Sequence, residues 1–169
     1  VICLPVLAIV GAALLVLIDQ LLKLLVVNTI KIGGPVTVLD PLLRFVYVEN
    51  KGAAFGMLEN QRWIFITLTA IVMVVLIVVL FRAKNRSKLF FVSLALVIGG
   101  GVGNLIDRIF LGYVVDYIQL SFFPPVCNFA DYCITFGTVL LVIYLFFVSD
   151  FFKTRHDKEE LGQKAQEHE

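Results

Sequence analysis

Asp107, Asp116 and Asp131 flank or interrupt apolar segments in the run GGGVGNLIDRIFLGYVVDYIQLSFFPPVCNFADYCIT. A carboxylate placed in hydrocarbon costs roughly 3 kcal/mol on insertion scales, so such a residue ordinarily faces a polar cavity and works there. Two carboxylates close together in a low-dielectric site cannot both ionise readily; they share a proton and their apparent pKa values separate. Such a pair can hydrolyse a peptide. One carboxylate takes a proton from water while its protonated partner polarises the scissile carbonyl, with no covalent intermediate, no metal and no other cofactor. Asp116, held in VVDYI between two apolar flanks, caps nothing evident. Asp131 has a plainer role open to it: Asn128, Phe129, Ala130, Asp131 before an apolar run is the pattern of an N-cap with an acid at the third helical position, and taken alone capping is the better reading.

The remaining inventory removes most rival chemistries. Both histidines, His156 and His168, lie near the C-terminus, away from the acids, so neither a Ser-His-Asp triad nor a histidine zinc site is available beside them. Cys3, Cys127 and Cys133 match no zinc spacing, Cys3 and Cys133 read as burial in apolar helix, and Cys127 and Cys133 are not expected to be linked. Ser121 has no lysine near it in sequence; Lys23 and Lys51 would approach only through tertiary folding, which leaves a serine-lysine hydrolase poorly supported.

The elements that position these acids are membrane helices. Of 169 residues 60% are hydrophobic and 16% charged, against about a quarter charged in soluble domains, and the mean hydropathy is +0.96. A net charge of +1 without a basic and aromatic patch excludes a nucleic-acid partner. The stretches Val1 to Val27, Trp63 to Phe81, Leu89 to Ile106 and Tyr132 to Ser149 predict four spans, each near the 20 or so apolar residues that spanning needs. The apolar run from Val1 to Ile18 is longer than a signal-peptide core and lacks a charged leader, so it reads as a span. Arg82, Lys84, Arg86 and Lys88 sit in one short connector with no acid, which places that connector and both termini in the cytoplasm. The fold expected is therefore an all-α polytopic membrane protein of four transmembrane helices with a small extracytoplasmic β element. That element falls at about 30–58, where VTVLDPLLRFVYVEN reads as two strands around Asp40 and Pro41. Residues 1–152 form one membrane domain, and 153–169 form a disordered cytoplasmic tail. Asp19, Asp116 and Asp131 then gather near the outer interface. On the third span Ala95, Gly99, Gly103 and Asp107 recur every four residues, a small-residue stripe for close helix approach; Asn104 and Arg108 share the adjacent face. The glycines follow no strand, so a dinucleotide loop is excluded.

DQLLK at 19–23, ENKGAAFG at 49–56, GGGVGNLIDR at 99–108, VVDYI at 114–118 and NFADYCITFG at 128–137 resemble, in order, the signature blocks of bacterial lipoprotein signal peptidase, signal peptidase II. The resemblance implies an aspartic endopeptidase of the bacterial plasma membrane that cuts prolipoproteins before the diacylglyceryl-modified cysteine, with Asp116 and Asp131 as catalytic dyad. It further implies that Asn50, Asn104, Arg108 and Asn128 bind the substrate backbone or orient the dyad, and that Asp19, Lys23 and Asp107 hold a supporting polar network. Its partners would be lipid-modified prolipoproteins and membrane lipids, and it would work as a monomer. The segment Gly112 to Phe123 resembles the family's mobile extracytoplasmic helix, and the glycine stripe is a candidate for lateral lipid space. Tyr132 and Cys133, after the second aspartate, depart from the small or hydroxyl residues often found there. The rival from another class is a small proton-coupled transporter or channel subunit, disfavoured because the acids gather at one face and no internal repeat is evident.

Overall fold

The computed structural model describes residues 3–52, 61–82 and 87–148. In chain order the elements are α1 (Cys3–Gly33), β1 (Val36–Leu39), β2 (Leu43–Asn50), α2 (Arg62–Arg82), α3 (Lys88–Phe110), β3 (Val114–Leu120), β4 (Phe123–Cys127) and α4 (Phe129–Ile143), the last widening into a π-helical turn over Tyr144–Val148. Four helices are long and apolar enough to cross a membrane, as expected. The tail from Lys153, the connector positions 84–86 and part of the ENKGAAFG block lie outside the described residues.

The third span is the centre of the bundle: 61% of its apolar window is buried, against 11% to 22% in the other three. Its glycines explain how three helices reach it at once. A Cβ at Gly99 would meet Ala12 and Leu15 of α1, one at Gly101 the Met73 side chain of α2, and one at Gly100 would collide with the Ala130 carbonyl oxygen of α4. Dispersion between closely approaching backbones replaces the hydrophobic drive that lipid cannot supply. At Gly99 and Gly103 the stripe is filled by Ala12, Leu15 and Asp19 of α1, with Ala130 of α4 beside Gly103. In contrast, α2 is apolar on every side and buries only Met73 and Leu80, the pattern of a helix wrapped mostly by lipid.

The first helix continues to Gly33, six residues past the expected end of its apolar run. At about 1.5 Å per residue its 31 residues reach well beyond a hydrocarbon core of about 30 Å. It stops where Gly34, at φ 87°, turns the chain and returns its N–H to the Ile30 carbonyl. The projecting end is strapped to the sheet: Lys31 Nζ lies 3.0 Å from Tyr47 Oη and 3.3 Å from Glu49 Oε1.

The β element is larger than expected. Val114–Leu120, in the segment that resembles the family's mobile helix, and Phe123–Cys127 are strands that complete a four-stranded antiparallel sheet in the order β1-β2-β3-β4. Val114 through Tyr117 are all buried, so β3 shows none of the in–out alternation that marks a half-exposed strand. Across β2 and β3, Val48 faces Asp116 and Asn50 faces Val114. Residues two apart on a strand share a face, so Asn50 lies diagonally beside Asp116.

Candidate active site

Four elements bring the site residues to the sheet end of the bundle. β3 carries Asp116, β2 carries Asn50, α3 carries Asn104 and Asp107, and the first turn of α4 carries Asn128 and Asp131. Asp116 and Asn128 are 2% and 0% exposed, so every polar atom they bring must find a partner.

Asn128 is the joint between the two carboxylates. Its side-chain amide donates to Asp116 Oδ1 at 2.6 Å, and its backbone N–H donates to Asp131 Oδ2 at 3.0 Å. The remaining oxygen of each acid is held by a further asparagine: Asn50 Nδ2 donates to Asp116 Oδ2 and Asn104 Nδ2 to Asp131 Oδ1, both at 2.8 Å. Each carboxylate therefore receives two N–H donors that fix its plane, and each oxygen keeps a lone pair for a proton or a water. Burial first, and then the neighbouring charge of Asp131, push the Asp116 carboxyl up to about 6. The amides of Asn50 and Asn128 favour the ionised form and pull in the other direction.

The capping and catalytic readings of Asp131 are not alternatives. Asn128 Oδ1 accepts from the Asp131 N–H at 3.0 Å while the Asp131 side chain accepts from the Asn128 N–H, a reciprocal capping box. The other amides of that turn are taken by distant elements: Phe129 N–H donates to Tyr117 Oη at 3.3 Å and Ala130 N–H to Asp19 Oδ1 at 3.2 Å. The turn that presents Asp131 is pinned from β3 and α1 as well as by its own cap.

Beneath the dyad lies a buried ion network. Lys23 Nζ is 2.9 Å from Asp19 Oδ2, 2.9 Å from Asp107 Oδ2 and 2.9 Å from Asn104 Oδ1, which uses all three ammonium donors. Locking the Asn104 carbonyl toward Lys23 leaves its NH2 facing Asp131. Asp107 also accepts from Val115 N–H at 3.1 Å, tying α3 to β3 one residue from Asp116. Gln20, which the sequence reading passed over, donates to Asp107 Oδ1 at 3.0 Å and also bonds Asp19 and the Gly103 carbonyl. Its place in DQLLK, beside Asp19 and three residues before Lys23, was the signal available. Tyr117, also passed over, follows Asp116 directly.

Arg108 stands apart from this network. Its guanidinium donates to the Asn104 backbone carbonyl at 3.4 Å and lies 5.3 Å from the centre of the Phe65 ring of α2. Cys133 faces the Gly100 contact, while Tyr132 stacks on Phe136 at 6.3 Å; Cys3, Cys127 and Cys133 are free thiols. Ser121 is exposed at the β3–β4 turn, Lys51 is exposed, and Lys23 is saturated by its three partners; among the described residues no hydrogen bond joins a lysine to that serine.

The family described as signal peptidase (SPase) II matches residues 11–147. A lipoprotein signal peptidase of Caldanaerobacter subterraneus is 43% identical over 140 residues, covering 83% of this chain and 96% of the relative. Another, from Halothermothrix orenii, is 39% identical over 132 residues, covering 78% and 90%. Among solved structures, a bacterial membrane enzyme determined by the in meso method at 2.3 Å resolution superposes with a TM-score of 0.76 at 32% identity, over 82% of this chain and 86% of that one.

Proposed function

Because the chain belongs to the signal peptidase II family, and is thus a multi-pass membrane peptidase of lipoprotein signal peptides, we propose that it works as an aspartic endopeptidase with Asp116 and Asp131 as its dyad. The observation that carries this reading is the Asn128 bridge, which holds one carboxylate by its side chain and the other by its backbone.

One proton is shared by the pair. The ionised carboxylate takes a proton from water as the water oxygen attacks the scissile carbonyl carbon, and the protonated carboxyl gives its proton to the carbonyl oxygen. A neutral gem-diol results. Collapse breaks the C–N bond: the leaving nitrogen takes the proton that came from water, and the gem-diol returns the other to the dyad, which is restored. Asn50, Asn104 and Asn128 hold the acids in register throughout, and Asp19, Lys23 and Asp107 support that frame. Arg108, resting against Phe65 at the rim, is the donor available to a substrate carbonyl.

The substrate is a prolipoprotein cut before its diacylglyceryl-modified cysteine. An apolar signal helix and two acyl chains would hold the scissile bond at one membrane interface, and Asp19, Asp107, Asp116 and Asp131 lie together at the sheet end. The basic connector from Arg82 to Lys88 supports an inside position for the opposite end, with both termini cytoplasmic and the dyad toward the outer face. The protein acts as a monomer. The test is incubation of the protein in detergent or lipid with diacylglyceryl-modified and unmodified prolipoprotein, followed by mass analysis. Cleavage of the modified form alone, at the bond before the modified cysteine, is expected; equal cleavage of both forms, or cleavage elsewhere, overturns the assignment.

A further inference from the structure

At the end of the bundle opposite the sheet, α1 and α3 part to leave a groove of about 520 Å3, within the range of about 300–1,000 Å3 typical of small-molecule sites. Its walls are aliphatic and aromatic, among them Leu7, Gly11 and Leu14 of α1 and Phe91 and Ala95 of α3, and its one charged lining residue is Lys88, at the first turn of α3. Along α1 the lining runs from Leu4 to Leu15, roughly 17 Å of helix at 1.5 Å per residue. That length matches one leaflet, half of a hydrocarbon core of about 30 Å. The groove exists because Gly11 faces Ala95: a Cβ added at Gly11 would find only the Ala95 Cβ, 4.0 Å away.

We infer that this groove is a binding site for one anionic phospholipid of the leaflet facing the Arg82–Lys88 connector, an acyl chain lying along Gly11 and Ala95 and the headgroup phosphate meeting Lys88. Charge and depth select this occupant. The cation sits where the apolar lining ends, at headgroup level, and Arg82 closes the preceding helix at the other end of the same basic connector. The lipid of the substrate is the wrong candidate, because Asn104, which bonds Asp131 of the dyad, stands eight helical residues beyond Leu96, the far end of the lining on α3. That is roughly 12 Å further along the bundle.

The test is native mass spectrometry of the full-length protein titrated with phosphatidylglycerol and with phosphatidylcholine of identical acyl chains. One phosphatidylglycerol should be retained, with a preference over phosphatidylcholine of roughly fivefold, the scale of one basic side chain at a lipid surface. Lys88→Gln should abolish the preference and Lys88→Arg restore it, while Gly11→Leu should displace both lipids. Equal retention of the two lipids by the wild-type protein, or unchanged binding in Lys88→Gln, overturns the inference without reference to the Gly11 variant. Intact phosphatidylglycerol binding in Gly11→Leu with a raised KM for lipid-modified prolipoprotein overturns it too, and assigns the groove to the signal peptide.

Discussion

Replacing Asn128 separates what a helix cap contributes from what a dyad bridge contributes. In Asn128→Ala the backbone bond to Asp131 survives, but three side-chain bonds go: to the Asp131 N–H, to Asp116 Oδ1 and to Asn104 Oδ1. Loss of the cap costs about 1 kcal/mol of stability. Loss of the donor to a buried carboxylate removes about 1.5–3 kcal/mol, and where that bond orients the reacting acid, the same energy appears as a fall in kcat/KM of roughly 10- to 150-fold. Asn128→Ser divides the two effects. Its hydroxyl remains an acceptor for the Asp131 N–H, so the cap returns, yet it carries no amide to reach Asp116. Thermal unfolding and kcat/KM on lipid-modified prolipoprotein, measured in the same detergent, should therefore show stability recovering in Asn128→Ser by about 1 kcal/mol while turnover stays as low as in Asn128→Ala. Activity that returns together with stability would refute the reasoning and reduce Asn128 to a cap.

Since a proton must remain on the dyad, the rate should fall on an alkaline limb as pH rises through the Asp116 value of about 6. The Asn50 amide favours the ionised form, so Asn50→Leu should raise that pKa and move the limb of the pH–rate profile upward; a downward move contradicts the assignment. Lys23→Met leaves Asp19 and Asp107 buried without their counter-charge and should cost about 3–5 kcal/mol in thermal unfolding, whereas Lys31→Gln, in a half-exposed pair, should scarcely move the transition. Gly100→Ala drives a methyl into the Ala130 carbonyl and displaces the turn bearing Asp131, so cleavage should be lost; Gly101→Ala meets only the end of the flexible Met73 side chain and should retain turnover, as a cleavage assay of both variants would read.

The helices were legible because hydrocarbon demands long uncharged runs, and each predicted span lies within or overlaps an observed one. The sheet was half legible. β2, a β-branched and aromatic run, was predicted, but β3 is buried on both faces at Val114 to Tyr117 and offered no period of two. The paired prolines of β4, Pro124 and Pro125, carry no N–H to donate and suit its place at a sheet edge. The acids themselves were legible from the cost of burying them. Their partners were named only through the family resemblance: Asn50 meets Asp116 across 66 residues and Lys23 meets Asn104 across 81, and such pairings depend on register and helix rotation that no local pattern encodes. The glycine stripe was read correctly as a packing surface, but which helix filled it followed only from the fold.

The central claim is that Asp116 and Asp131 act as one catalytic unit, and the most direct measurement is cleavage of lipid-modified prolipoprotein by Asp116→Asn, Asp131→Asn and the double variant, with folding verified and Asp157→Asn as control. Asparagine keeps the size of each side chain but cannot accept and return a proton. Each single variant should lose cleavage, the double variant should be scarcely worse than either, as for members of a coupled set, and the control should match the wild-type protein. Retained cleavage by either folded single variant would contradict the account and reopen the case for Ser121 and Lys51.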